Sequence, residues 1–182
     1  MWKIPLAYAL AQYGDRVLLV DGDVYHPVQH RILKADRSPG LLNLLNPDQP
    51  PGLDEAIQST PYRNLDFLPA GRTEDAASYS FPLQELESMH AELRERYDMV
   101  IIDTPPVIGI STAMQFARFS DGAFLVIQHA RFPINVVSMA KKTMDQAGCH
   151  IRGLILNQFV PMHDEQYYTM NYDYEKDERK RS

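Results

Sequence analysis

The chain has 182 residues, 45% hydrophobic and 23% charged, with a formal charge of −6 from 18 basic and 24 acidic side chains. This balance supplies a real core and excludes wholesale disorder, and the acidic excess argues against a general nucleic-acid binder, which neutralises phosphates with basic patches. The single cysteine, Cys149, excludes an intramolecular disulfide and a cysteine-based zinc site and points to a reducing compartment.

The opening segment, MWKIPLAYALAQYG, has polar breaks and no signal-peptide layout. No apolar run approaches the roughly 18 residues that cross a bilayer, so the reading is a chain without a transmembrane segment. Further along, short β-rich runs alternate with longer amphipathic stretches. The runs are 17–20, 65–68, 99–102, 124–127 and 154–156. Continuous apolar runs of this length suit strands buried on both faces, as in a parallel sheet covered by helices. The segment 38–52, rich in Pro and Asn, predicts a short helix flanked by loops. Residues 83–97 predict the clearest helix, with Leu83, Leu86, Met89 and Leu93 on one face. Residues 112–119 and 136–147 predict two more, the latter closed by Gly148. The alternation implies an α/β doubly wound domain, a mostly parallel sheet with helices on both faces. From Pro161 onward aliphatic residues are few and charges many, so 1–160 reads as the folded domain and 161–182 as a flexible tail.

Three strand ends carry candidate chemistry. In VLLVDGDVYHP, the first run ends in Asp21 and Asp23, whose side chains point the same way from an extended chain. Neighbouring carboxylates repel unless a proton or cation separates them, and Mg²⁺ with its waters would do so. In MVIIDTPPV, a second apolar run ends in Asp103 before a rigid Pro105–Pro106 turn, the arrangement of a Walker B acid at a Mg²⁺–nucleotide site. In GLILNQF, Asn157 ends a strand with an amide that presents both a donor and an acceptor, as reading an adenine edge requires. Each end also has a plain reading as an acidic turn or a strand stop. Two acids ending two separate apolar runs make coincidence the weaker account.

The ordered series LAYALAQYGDRVLLVDGDVYHP, PGLLNLL, LDFLPAG, YDMVIIDTPPV, SDGAFLVI and GLILN resembles the bacterial tyrosine kinases of capsule and exopolysaccharide synthesis, relatives of the MinD and ParA ATPases. The resemblance spans nearly all of residues 6–159. It matches a Walker A′ segment at Asp21 and Asp23 and a Walker B segment at Asp103. The LPAG element, 68–71, and the tyrosines Tyr167, Tyr168, Tyr172 and Tyr174 point to the kinase branch rather than to the partition ATPases. It implies that the three aspartates hold Mg²⁺, partly through water, and that Asp21 helps deprotonate an attacking tyrosine. The cofactors would be ATP and Mg²⁺, with Asn157 on the nucleotide. The acceptors would be the tyrosines of a neighbouring subunit's tail. Each phosphate adds about −1.5 to −2 charge, so a multiply phosphorylated tail would repel and release itself. The implied partner is a membrane chain-length or activator protein of polysaccharide export, and the implied location is the cytoplasmic face of the plasma membrane. A homo-oligomer is implied, with no role for nucleic acid.

The chain departs from the family in one large respect. The family has a Gly-rich loop ending in Gly-Lys-Ser or Gly-Lys-Thr, whose N–H groups and lysine cradle phosphates, and the 182 residues contain no such motif. Aligned on LAYALAQYG, that loop would end just before Met1, and Lys3 lies too far along to replace its lysine. The reading is therefore a domain whose first strand and P-loop are missing, through truncation, a misassigned start or degeneration, and which binds ATP weakly or not at all. Two smaller departures are Tyr25, where the family often has Arg, and Ser111–Thr112, where it often has an aspartate. The alternatives to a kinase are a non-catalytic phospho-acceptor module of the same system and a MinD- or ParA-like ATPase. The last expects an amphipathic membrane helix or a basic face, and the tail offers neither. Elsewhere the bland readings prevail. His26 and His30 are separated by Pro27 and lack a third metal ligand. Cys149 reads as a packed thiol. Met89, Met139 and Met144 read as core fillers.

Overall fold

In a computed structural model, residues 3–46, 50–72 and 81–159 are described. Their elements run α1 (Lys3–Gln12), β1 (Val17–Asp21), α2 (Gln29–Leu33), α3 (Leu41–Leu44), α4 (Leu53–Ala56), β2 (Gln58–Ser59), β3 (Leu65–Leu68), α5 (Leu83–Arg96), β4 (Met99–Asp103), α6 (Thr112–Phe119), β5 (Ala123–Gln128), α7 (Ile134–Gln146) and β6 (Ile151–Asn157). Each of the five predicted apolar runs lies inside a strand, and the four predicted helices are α3, α5, α6 and α7. Gly148 closes α7 at φ +73°, a left-handed conformation that glycine adopts without steric cost. The segment 161–182, with its four tyrosines, lies outside the described residues.

The main sheet has the order β2-β3-β1-β4, with β1 pairing in parallel with β3 on one side and β4 on the other. The two-residue side-chain period of β1 divides its core between the faces of this sheet. Val17 and Leu19 pack with Ala7 and Ala11 of α1, together with Leu65 and Phe67 of β3. Leu18 and Val20 point the other way, into a larger cluster with Leu41 and Leu42 of α3 and Leu86, Met89 and Leu93 of α5. Helices therefore cover both faces, as an α/β domain requires. Burial of β1 is complete along its length. At about 25 cal/mol per Å² of apolar surface, four such aliphatic side chains are worth roughly 6–12 kcal/mol before conformational entropy is subtracted.

Two expectations need correction. Strands β5 and β6 form a separate parallel pair and are not hydrogen-bonded to β4. Exposed apolar side chains lie on both faces of that pair among the described residues, Phe124 (57% exposed) on the face of Gly153 and Leu154 (63% exposed) with Leu156 on the other. The apolar runs 124–127 and 154–156 are thus not buried on both faces as their composition predicts, because the described layers leave part of each face uncovered. Met139 is the other exception. It is 49% exposed, whereas Met89 and Met144 are buried as predicted. On α7, position 139 falls outside the stripe that carries Ala140 and Met144.

The loop after α2 is fastened to the end of β3. Gly71 N–H donates to the Arg37 carbonyl (3.1 Å), Arg37 Nε donates to the Gly71 carbonyl (3.2 Å), and Leu41 N–H donates to the Pro69 carbonyl (2.8 Å). Gly40 permits this crossing, since a Cβ there would stand 2.3 Å from the Pro69 carbonyl oxygen. The carboxyl ends of β1 and β3 and the start of α2 are thereby held at one edge of the sheet.

Candidate functional site

The parallel register of β1 and β4 places Asp21 directly opposite Asp103. Both lie at the carboxyl ends of their strands, the edge where open α/β sheets bind ligands. Both are buried, Asp21 to 1% exposure and Asp103 to 7%. Asp23 lies two residues beyond, half-buried, and its Oδ1 accepts a hydrogen bond from His26 N–H (3.1 Å). Its charge acts on both buried acids. The structure thus brings Asp21 and Asp103 side by side with Asp23 within electrostatic reach. Among the described residues no group of three or more His, Cys, Asp or Glu is gathered closely enough to hold a metal ion as the side chains stand.

Two residues that the sequence reading did not place at the strand ends organise the pair. Gln29, the first residue of α2, donates its side-chain N–H to Asp103 Oδ2 (2.5 Å) and its backbone N–H to Asp21 Oδ2 (3.4 Å). Lys3 of α1 forms an ion pair with Asp103 Oδ1. A polar residue just after the Pro27 turn was the available signal for Gln29. For Lys3 there was none, because only the packing of α1 on β1 brings its ammonium to the end of β4.

Burial raises the Asp21 carboxyl to about 7, and the charge of Asp103 adds to the effect. Burial also raises Asp103, while Lys3 and Gln29 oppose the rise. Asp21 Oδ1 has no hydrogen-bond partner although it is buried, and the same holds for Gln29 Oε1 and Thr112 Oγ1. Thr112 opens α6, one helical turn before Phe116, whose ring lies 3.0 Å from where a Cβ on Gly22 would stand. Unpartnered buried oxygens cost free energy and mark a place where a missing ligand would be favourable. An all-carboxylate donor set with a free oxygen on Asp21 has the chemistry of a hard divalent cation, so these residues fit Mg²⁺.

Asn157 lies elsewhere. It ends β6 in the second sheet, and its Oδ1 accepts from the N–H of Gln158 (3.0 Å). Tyr25 packs against the larger core cluster. Cys149 is buried beside Met144 and Ala117, and burial pushes its thiol up, as expected of a packed cysteine. Among the described residues no helix is long and apolar enough to cross a membrane.

The AAA domain family matches residues 2–153. The putative tyrosine-protein kinase CapB of Staphylococcus aureus is 31% identical over 163 residues, which are 90% of this chain and 71% of CapB. Other tyrosine-protein kinases are longer, and the chain spans as little as 20% of a relative's length. Among solved structures, the chimerical protein CapA2B2 superposes with a TM-score of 0.77 at 30% identity, covering 86% of this chain and 68% of that one. The septum site-determining protein MinD of Pyrococcus horikoshii OT3, complexed with Mg-ADP, gives a TM-score of 0.68 at 28% identity over 85% of this chain and 62% of MinD.

Proposed function

Because the chain belongs to the bacterial tyrosine-kinase family of AAA domains, we propose that it is the catalytic domain of a protein-tyrosine kinase that controls capsule or exopolysaccharide synthesis, its activity impaired in these 182 residues by the absence of a Gly-Lys-Ser or Gly-Lys-Thr loop. It would act on tyrosines in the C-terminal segment of a neighbouring copy, at the inner membrane face, through a membrane partner of polysaccharide export. The observation that carries this reading is the pairing of Asp21 with Asp103, two buried acids at the carboxyl ends of adjacent parallel strands. Bound Mg²⁺ and ATP would supply charge neutralisation and the transferable phosphoryl group.

The remaining steps belong to the chain's own side chains. Asp21 presents its free Oδ1 as proton acceptor for an incoming tyrosine hydroxyl. Burial and the neighbouring Asp103 charge make this carboxylate in the metal-free site a stronger proton acceptor than an ordinary aspartate. Gln29 fixes the orientation of Asp103 and ties it to Asp21 through α2. Asp23 would complete the carboxylate set toward the cation. Asn157, at the end of β6, would meet the nucleotide base with its side-chain amide.

The ion pair of Lys3 with Asp103 favours a second reading. A protein cation already offsets one acid, an arrangement that suits a domain receiving phosphate from an active neighbour. One experiment separates the two readings. The protein is incubated with Mg²⁺ and ATP, alone and with an active relative, and Tyr167, Tyr168, Tyr172 and Tyr174 are followed by mass spectrometry. Phosphate acquired alone, and reduced about 100-fold or more by Asp21→Asn, supports the kinase. Phosphate acquired only from the relative, and insensitive to Asp21→Asn, supports the acceptor. No phosphate under either condition overturns both.

A further inference from the structure

Both oxygens of Asp103 are already engaged. Gln29 Nε2 donates to Oδ2 (2.5 Å), and the Lys3 ammonium forms an ion pair with Oδ1. Asp21, opposite, is only half satisfied: Oδ2 accepts from Gln29 N–H (3.4 Å), while the buried Oδ1 has no partner. A cation that joins the two acids must therefore displace a group from Asp103. The two groups differ in how they are held. Gln29 is buried, and its backbone N–H is tied to Asp21. The Lys3 side chain is 29% exposed, against 6% for that of Asp103. Chain geometry explains why Lys3 is there. Lys3, Ala7 and Ala11 are spaced four residues apart on one helix face, and the two alanines pack against Val17 and Leu19 of β1. Helix α1 is about 15 Å long and β1 about 16 Å. Residues 13–16 reverse the chain between them, so the first residue of α1 comes to the carboxyl end of β1.

We propose that Lys3 is a built-in competitor for the divalent cation: its ammonium holds the Asp103 oxygen that the cation needs and leaves when the cation binds between Asp103 and Asp21. Breaking the ion pair alone would leave a buried carboxylate uncompensated, which is costly, so Lys3 stays until another positive charge takes its place. The two cations cannot share the site, because an ammonium and a divalent ion a few ångströms apart repel strongly where water is excluded. Asp23, whose charge acts on both buried acids, favours the exchange, since a divalent ion offsets more negative charge than one ammonium does. Lys3 thus sets how much Mg²⁺ the acid pair requires. The inference rests on the reading of that pair as a Mg²⁺ site and asks nothing of phosphoryl transfer.

The test uses Mg²⁺ itself, without nucleotide, on the full chain at low ionic strength. Calorimetry compares the parent with Lys3→Met and Lys3→Arg. Lys3→Met is expected to bind Mg²⁺ about tenfold or more tightly than the parent, and Lys3→Arg, which keeps the charge, no more tightly. Nitrogen NMR of the lysine side chains follows the exchange directly. The Lys3 Nζ signal, assigned by its loss in Lys3→Arg, should move toward that of a solvated lysine along the same saturation curve. Equal or weaker binding by Lys3→Met, with its melting temperature preserved, overturns the proposal. So does a Lys3 signal that stays in place while Mg²⁺ binds, or movement of the Gln29 amide signals instead. Undiminished binding in Asp103→Asn puts the cation elsewhere and overturns it too, as does the lack of any binding in parent and Lys3→Met alike. If Lys3→Met does not fold, the NMR titration of the parent decides. Displacement of Lys3 by Mg²⁺ in a protein that acquires no phosphate would sink the kinase reading alone. Phosphorylation in a protein whose Mg²⁺ affinity is indifferent to Lys3→Met would sink this one alone.

Discussion

Asp21 concentrates the conflict between folding and chemistry. A carboxyl raised to about 7 binds its proton more tightly when folded than when unfolded. Below about pH 4 both states are protonated and burial carries no electrostatic penalty. As pH rises from about 4 to about 7 the unfolded state ionises first and stability falls, and above that range the loss is constant. Metal-free Asp21→Asn protein is expected to lose this dependence and to be more stable than the parent at pH 8, by an amount on the order of 1–4 kcal/mol. Thermal melts of both proteins across that range check it, and a parent no less stable than the variant at pH 8 contradicts the burial argument. Asp98 behaves oppositely. The Arg16 guanidinium and backbone N–H hold its carboxyl down at about 2. Its contribution to stability is full above about pH 4 and is lost as pH falls toward 2. An NMR titration should find a midpoint near 2, rising in Arg16→Met toward the ordinary value without reaching it, because the backbone N–H remains.

Among the elements, β1 is the one on which the others are built. It enters beside β4 through the Arg16–Asp98 pair, with Asp98 N–H donating to the Arg16 carbonyl (3.0 Å), and leaves beside it at Asp21 and Asp103. Both ends of the pairing are fastened by residues 82 apart in sequence. The contact of the α2–α3 loop with the end of β3 is the second support. Gly40→Ala would drive a methyl group into the Pro69 carbonyl and the Gly71 backbone. The expected cost is about 2 kcal/mol or more, read as a lower denaturation midpoint at unchanged m-value. A fully stable Gly40→Ala protein would show that this crossing is looser than the close approach implies.

At the scale of the whole molecule, charge and exposure are both uneven. Buried acids and the start of α2 share one edge of the main sheet, while Phe124, Leu154 and Leu156 lie open on the β5–β6 pair. The strand positions were legible in the sequence because unbroken apolar runs such as VLLV and MVII have few other uses, and helix α5 was legible from its apolar stripe. Aspartates closing two of those runs marked the candidate site. Exposure on the second sheet was not legible, since LIL reads the same whether or not a layer covers it. The position of Met139 was likewise undecided until the stripe of α7 that meets the core was known. The sequence by itself determined the α/β alternation, the acids at the strand ends and the family to which they belong, because those follow from local pattern and residue type. Only the tertiary structure decided that Asp21 faces Asp103, that Gln29 and Lys3 attend the pair and that Arg37 bonds to Gly71. Those are contacts between distant segments, and they are set by strand register and helix docking, which no local window of residues contains.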